Sequence, residues 1–342
     1  MATLKDIAAI AKVSVSTVSR VLNYDRTLSV SDSTRENVFK AAEELNYKKM
    51  KSKSKIEEKK KDDLLIGIIE WYSMSEELSD PYYLSIRSGI ERACFEKKIQ
   101  IKTLFKENGK IDTDQLEGVD SIIAIGKYSQ KEVKSFSKFT QNIVFVDSSP
   151  NDYLYDSIVV DFKDAMTNVI NYFIEKGHEK IAFIGGKEYV GDDQEELIDP
   201  RESSFINILS NKNLLNEDLI VNGPFDVESG YNLAKEIINK GDFTAIFVAS
   251  DSMAVGALRA LNELKYKIPK DISIIGFNDI STAEYMTPPL TTVKVYTEYM
   301  GRTAVEKILS KINFDRIIPQ KTVIPTELIE RKSVKKLIKT EV

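Results

Sequence analysis

Residues 3–23 read TLKDIAAIAKVSVSTVSRVLN, and two short amphipathic helices are written into them. Thr3 with Asp6 makes a capping box of the Ser/Thr-x-x-Asp/Glu kind, and Leu4, Ile7, Ala8 and Ala11 then share one helical face. Val13-Ser14 interrupts the pattern. A second helix over 15–22 restarts it with Val18, Val21 and Leu22, and Asn23 tolerates the left-handed backbone that ends a helix. After the loop YDRTLSVSD, Ser31 or Asp32 caps a third helix whose inner face is Val38, Ala41, Ala42 and Leu45. Three short helices joined by tight turns suit a helix-turn-helix headpiece.

In such a motif the second helix enters the major groove with its N-terminal residues at the base edges. Those residues are Val15 and Ser16, with Arg20 one turn on. Val15 offers apolar contact, for example to a thymine methyl, and Ser16 is permissive. Arg20 suits a bidentate guanine contact, worth about 1–3 kcal/mol of discrimination; the alternative for it is a surface ion pair with Asp6 or Asp25. Thr17, Ser19 and Asn23 carry short polar groups fit for phosphates, and Thr3 joins them as a DNA-binding candidate.

Outward from the headpiece, charge is unevenly distributed. The chain has 342 residues and a net charge of −5, which taken alone argues against a nucleic-acid partner. Residues 1–47 are near neutral, and the acidity belongs to the C-terminal body. Residues 48–61, KKMKSKSKIEEKKK, hold eight lysines against two glutamates. This reads either as a solvated tether or as a basic arm lying on phosphates.

From residue 63 the chain alternates apolar runs with helical patterns. LLIGIIE from Leu64, SIIAIG from Ser121, IVFVD from Ile143, IAFIGG from Ile181, AIFVAS from Ala245 and ISIIGF from Ile272 read as buried strands. Helices are expected near 83–97, 162–176, 201–212, 228–240 and 252–265. Continuous apolar strands alternating with helices imply parallel sheets covered on both faces. The length suits two doubly wound α/β lobes, with a small-molecule cleft beyond the carboxyl ends of the strands.

Several function classes have little support. One Cys and one His exclude a cysteine cluster and a two-histidine metal site. No Gly-x-Gly-x-x-Gly, Walker loop or Gly-x-Ser-x-Gly elbow follows a strand. His178, between a helix end and a strand, is expected to satisfy helix C-terminal carbonyls, and Cys94 to be a core thiol. No secretory segment or membrane span is visible, so a cytoplasmic protein is expected. No cofactor or metal is called for.

The headpiece sequence, with TRENVFKAAEELNY at 34–47, resembles that of the LacI/GalR family of transcriptional regulators. FVASDSMAVGALRAL, DISIIGFND and PPLTTVKV extend the resemblance through the body, which then resembles the periplasmic sugar-binding fold. NYDRTLSV, DPYYLSIRSGIE and PRESSF are similar in particular to the evolved β-galactosidase and galactose-operon repressor subgroup. The family's hinge usually reads Tyr-x-Pro-Asn-x-x-Ala-x-x-Leu, its leucine wedging into the minor groove. Here Tyr47 is followed by Lys-Lys-Met-Lys-Ser-Lys-Ser-Lys-Ile, without Pro-Asn, and Ile56 stands in the leucine's place.

The resemblance implies an effector pocket of Trp71, Tyr82, Tyr83, Asp147, Arg201, Phe225, Ser250, Asp251 and Asn278, with Tyr72 beside Trp71. Ser250 and Asn278 stand where the family often has asparagine and aspartate. It also implies three regions: a headpiece over 1–47, a basic hinge over 48–62 and a two-lobed effector-binding and dimerisation domain over 63–342. Lobe 1 is about 63–159 and 296–322, and lobe 2 about 160–292 and 323–331. The implied function is a homodimeric repressor of a galactose or β-galactoside operon, released from double-stranded operator DNA by a small sugar. An activator or a global catabolite regulator with another effector is the alternative. The tail RKSVKKLIKTEV is too short for a coiled-coil tetramer.

Overall fold

The computed structural model describes residues 3–22, 28, 30–45, 64–107 and 109–337. The chain falls into two compact units, residues 1–59 and 60–342.

In the first unit, α1 (Leu4–Ala11), α2 (Val15–Leu22) and α3 (Asp32–Glu44) pack around Ile7, Ala8, Val18, Val21, Val38 and Ala41. The Thr3–Asp6 capping box is formed. Ser14, which breaks the apolar pattern, accepts the Thr17 N–H at 3.0 Å and so starts α2. Ser31 caps α3 by accepting the Thr34 N–H at 3.2 Å.

The second unit opens with β1 (Leu65–Glu70), α4 (Met74–Ser79), α5 (Tyr82–Glu96), β2 (Gln100–Phe105), β3 (Ser121–Ile125), α6 (Gln130–Phe136), β4 (Ile143–Val146) and β5 (Asp156–Val160). It continues with α7 (Phe162–Glu175), β6 (Ile181–Gly186), β7 (Glu188–Val190), β8 (Glu195–Leu197), α8 (Pro200–Asn211), β9 (Ile220–Gly223) and α9 (Val227–Ile237). Then follow β10 (Ala245–Val248), α10 (Asp251–Glu263), β11 (Ser273–Asn278), β12 (Thr291–Lys294), α11 (Thr297–Asn313), β13 (Lys321–Ile324) and β14 (Glu327–Ile329).

These strands make two six-stranded sheets, ordered β13-β5-β4-β3-β1-β2 and β14-β12-β11-β10-β6-β9, and a β7–β8 hairpin. Every pairing in the two sheets is parallel except β14 on β12. Strand order reverses beside β1 and beside β6, where a crevice opens past the carboxyl ends. The central strands are buried on both faces, as their apolar runs require. Helices α5 and α11 pack against each other so closely that a Cβ on Gly89 would stand 2.2 Å from the Glu298 carbonyl oxygen.

The chain crosses between sheets three times, at 161, at 295–296 and at 325–326. The last crossing corrects the expected boundary at 322/323, because Val323 and Ile324 still pair with β5. The second lobe also runs past 331. Ser333 is fully buried, donating its hydroxyl to the Ile274 carbonyl and accepting the Thr291 N–H.

His178 is buried as a structural residue, but with different partners from those expected. Its ring nitrogens lie 2.9 Å from Thr244 Oγ1 and 3.1 Å from the Lys335 carbonyl. The α7 C-terminal carbonyl of Lys176 instead accepts the Leu337 N–H at 2.7 Å. Cys94 is a buried thiol whose pKa burial pushes up to about 12.

Candidate functional site: an interlobe cleft and a recognition helix

The cleft is built from residues that terminate strands. Trp71 and Tyr72 follow β1, Lys127 follows β3, Asp147 follows β4, Glu188 follows β6, Ser250 follows β10, and Asn278 ends β11. Asp147 and Asn278 both have positive φ, +68° and +107°, which turns the chain sharply and aims their side chains across the strand ends. Gly126, at φ +100°, is needed where it stands, since a Cβ there would lie 2.4 Å from Trp71 Cβ.

Asp147 organises the first lobe's wall. Its two carboxylate oxygens accept the Tyr82 and Tyr83 hydroxyls, each at 2.9 Å. Burial, reinforced by Asp147's charge, raises both phenol pKa values and keeps them donors. Tyr83 also meets Trp71 and Tyr72 edge-on, at centroid distances of 5.9 and 4.7 Å.

Arg201 organises the second lobe's wall. Pro200 at the first turn of α8 and Asp199 at its cap set its position. Its Nε and Nη2 pair with Asp199, and its Nη1 donates to the Ala249 carbonyl at 2.6 Å. A guanidinium has five N–H donors, and these bonds use three. The plane lies 5.0–5.4 Å from the rings of Phe162, Phe225 and Phe277. Burial opposes Asp199's ionisation, but Arg201 more than compensates and holds its pKa below the usual value.

Charged and polar contacts join the two walls. Lys127 of the first lobe pairs with Glu188 of the second and lies 3.8 Å from Asp147. Burial works against the Lys127 charge, yet Glu188 and Asp147 leave its pKa raised. Lys131 Nζ reaches Asp192 Oδ2 at 2.5 Å. Asp80, its pKa raised to about 6 by burial, receives the Ser250 hydroxyl, while Ser250 accepts the Met253 N–H and caps α10.

Tyr72, Asp80, Tyr82, Tyr83, Lys127, Asp147, Phe162, Glu188, Arg201, Phe225, Ser250 and Asn278 thus enclose a cavity of about 20 Å³, room for about one water. Asn278 Oδ1 is buried and accepts no hydrogen bond there, so it is available to a ligand hydroxyl. The two walls meet there too closely to admit a sugar ring.

Seven of the nine residues expected in the pocket line this cavity. Trp71 stands just outside it, its ring 5.6 Å from Lys127 Nζ. Asp251 is turned away: its carboxylate accepts the Thr292 hydroxyl at 2.7 Å and the Ile280 N–H at 2.9 Å inside the second lobe. Burial pushes its pKa up to about 7. It braces the loop after Asn278 and is not among the residues lining the cavity. Asp80, Lys127, Phe162 and Glu188 were not anticipated. Their position after strands or at a helix start was the available signal, but short loops around them carry no apolar pattern.

In the headpiece, α2 buries Val18 and Val21 and exposes Val15, Ser16 and Arg20. Thr17 and Ser19 are half-buried. Ser16 and Thr17 hydroxyls lie 2.7 and 2.8 Å from Ser14 Oγ. The exposed Thr3 uses its hydroxyl and backbone N–H on Asp6. Asn23 and Ile56 lie outside the described residues.

A helix-turn-helix unit with an exposed polar face on α2, followed by two doubly wound lobes that meet at a polar, aromatic cleft, is the architecture of a DNA-binding regulator of the ligand-responsive kind. Residues 3–49 match the model of the bacterial regulatory proteins of the lacI family, and residues 170–334 that of the periplasmic binding protein-like domain. The chain is 39% identical to the HTH-type transcriptional repressor MelR of Bacillus subtilis (strain 168), over 97% of both chains. It is 40% identical to the HTH-type transcriptional regulator GalR of Streptococcus thermophilus, over 98% of this chain and all of that one. The chain belongs to the LacI family; it is a DNA-binding transcriptional regulator and not an enzyme.

Solved structures agree on the whole fold. A CelR–cellobiose complex of a transcriptional regulator is 25% identical with a TM-score of 0.68, over 97% of this chain and all of that one. The lac repressor dimer bound to operator and the anti-inducer ONPF has the same identity and score, over 98% and 99%. Among the described residues, no helix is long and apolar enough to cross a membrane.

Proposed function

We propose that this chain is a homodimeric repressor of a sugar-utilisation operon, and that a small neutral sugar of the galactose or β-galactoside class, bound between the lobes, releases it from its operator. The cleft chemistry carries the sugar half of this reading. Carboxylate, amide and guanidinium groups stand among aromatic rings, the pairing that vicinal hydroxyls and a pyranose face require. The charges of Lys127, Glu188, Arg201 and Asp199 are matched within the protein, so a phosphate or other anion has no uncompensated cation to meet. The names of MelR and GalR, and the cellobiose held by CelR, support the same class.

The exposed face of α2 supports the DNA half. A two-fold operator calls for a two-fold protein. By linkage, the sugar releases DNA only if it binds the DNA-free state more tightly. The test is fluorescence anisotropy on the palindrome recovered by in vitro selection. Galactose or a galactoside should release the chain, and Arg20→Ala should lose about 1–3 kcal/mol, roughly 5–150-fold in affinity. Parent-like operator affinity in Arg20→Ala, or no release by any sugar, would overturn the reading.

A further inference from the structure

The closed inner cavity is not the whole of the cleft. A second hollow of about 540 Å³ adjoins it, lined by residues that include Trp71, Ser75, Glu76, Tyr189, Gln194 and Asp226. The two share Tyr72, Glu188 and Phe225, so these three side chains form the partition between them. The inner space, at about 20 Å³, holds about a water. The outer one falls in the range of small-molecule sites, about 300–1,000 Å³.

The position of the outer hollow marks it as the vestibule of the cleft. A separate hollow of about 620 Å³ is lined by Lys294 to Tyr299 and therefore lies on the side where the chain crosses between lobes. The 540 Å³ hollow contains no crossing residue. Its walls are α4 from the first lobe and the β7–β8 hairpin from the second. The hairpin leans onto the first lobe through Lys131 and Asp192. Gly191 at its turn comes so close to Ser129 that an added Cβ would stand 3.1 Å from Ser129 Cβ.

The vestibule is built for a neutral polyhydroxyl compound. Both cations on its wall are paired, Lys187 with Glu196 and Lys106 with Glu132, and Glu188 is paired with Lys127; Glu76 and Asp226 accept helix-cap hydrogen bonds from Ser73 and from the Ser229 N–H. An anion would have to displace one of the carboxylates paired with these lysines. The rest of the lining includes the Tyr189 ring, 39% exposed, Trp71 and Phe225, and Ser75, Ser79 and Gln194, whose side-chain hydrogen bonds among the described residues are local ones to Ser73, the Ser75 carbonyl and the Gly191 carbonyl.

We propose that the effector is a glycoside of at least two rings, one sugar taking the inner cleft as the Lys127–Glu188 contact parts to make room for it, and the second held in the vestibule, where the β7–β8 hairpin reads it. This rests on the sugar reading above and goes beyond it, since it fixes the ligand as an oligosaccharide and makes Tyr189 a specificity residue. Isothermal titration calorimetry on the full chain tests it. The probes are galactose, an α-linked and a β-linked galactosyl-glucose disaccharide, and the corresponding trisaccharides. At least one oligosaccharide should bind 10-fold or more tightly than galactose, and Tyr189→Ala should lower that ratio at least 10-fold. Tyr153→Ala, at a remote residue 89% exposed, should leave the ratio unchanged. Equal affinity for galactose and every oligosaccharide, or an unchanged ratio in Tyr189→Ala, overturns the vestibule while leaving the sugar reading intact. Absence of binding by any sugar overturns both.

Discussion

The Lys127–Glu188 pair holds the lobes together, so Glu188→Gln should loosen the cleft without unfolding either lobe. Both side chains are largely buried, 16% and 7% exposed, and they come from opposite lobes. Removing one partner of a buried ion pair typically costs about 3–5 kcal/mol. Asp147, 3.8 Å from the same ammonium, keeps part of the attraction, which places the cost near the lower end. About 3 kcal/mol corresponds to roughly a 100-fold shift from closed toward open. Trp71 is the only tryptophan in the chain, is 6% exposed, and lies under Lys127. Its emission should therefore move to the red in Glu188→Gln. Replacing the pair by Lys127→Met with Glu188→Leu should move it back, because an apolar pair of similar size carries no stranded charge. Parent-like Trp71 emission and scattering radius in Glu188→Gln would refute the clasp.

Arg201→Ala should lower the unfolding free energy by about 3–5 kcal/mol, because it strands the buried Asp199 carboxylate. Urea denaturation measures this, and a loss below about 1 kcal/mol would mean that Asp199 finds another partner. Glu70 is fully buried and its pKa is pushed up to about 9, chiefly by burial and then by Glu77. A carboxyl that is neutral at pH 7 is closely mimicked by an amide, so Glu70→Gln should change stability by less than about 1 kcal/mol. A loss near 3 kcal/mol would show an ionised Glu70 paired with Arg87, 3.3 Å away. Operator affinity should fall steeply with salt, since residues 48–61 hold eight lysines. A flat salt profile would remove that segment from the phosphates.

Much of the fold follows from residues visible in the sequence, and the exceptions share a cause. The headpiece core was legible because Ile7, Val18, Val21, Val38 and Ala41 keep helical spacing over short, capped segments. The central strands were legible because burial on both faces demands unbroken apolar runs. The edge strand β2 was not: QIKTLF exposes its first three residues and carries a lysine. Nor was β12, whose TTVK is buried despite two threonines, Thr291 accepting the Arg331 N–H and Thr292 donating to Asp251.

The site divides in the same way. Asp147, Arg201 and Asn278 were named through motif resemblance and line the cleft. Asp251 sits next to Ser250 in the same motif, yet as the first residue of α10 it points into the lobe. Lys127 and Glu188 carry no motif. Only closure of the two lobes brings them together across 61 residues of chain.

The most direct test of ligand control couples the two ends of the protein. A sugar is titrated into the full chain on labelled operator, with Trp71 emission and operator anisotropy read in one sample. Occupancy of the cleft should change Trp71 emission and release DNA with the same midpoint. Operator release with no saturable change at Trp71 would place the effector elsewhere and contradict the cleft as the controlling site.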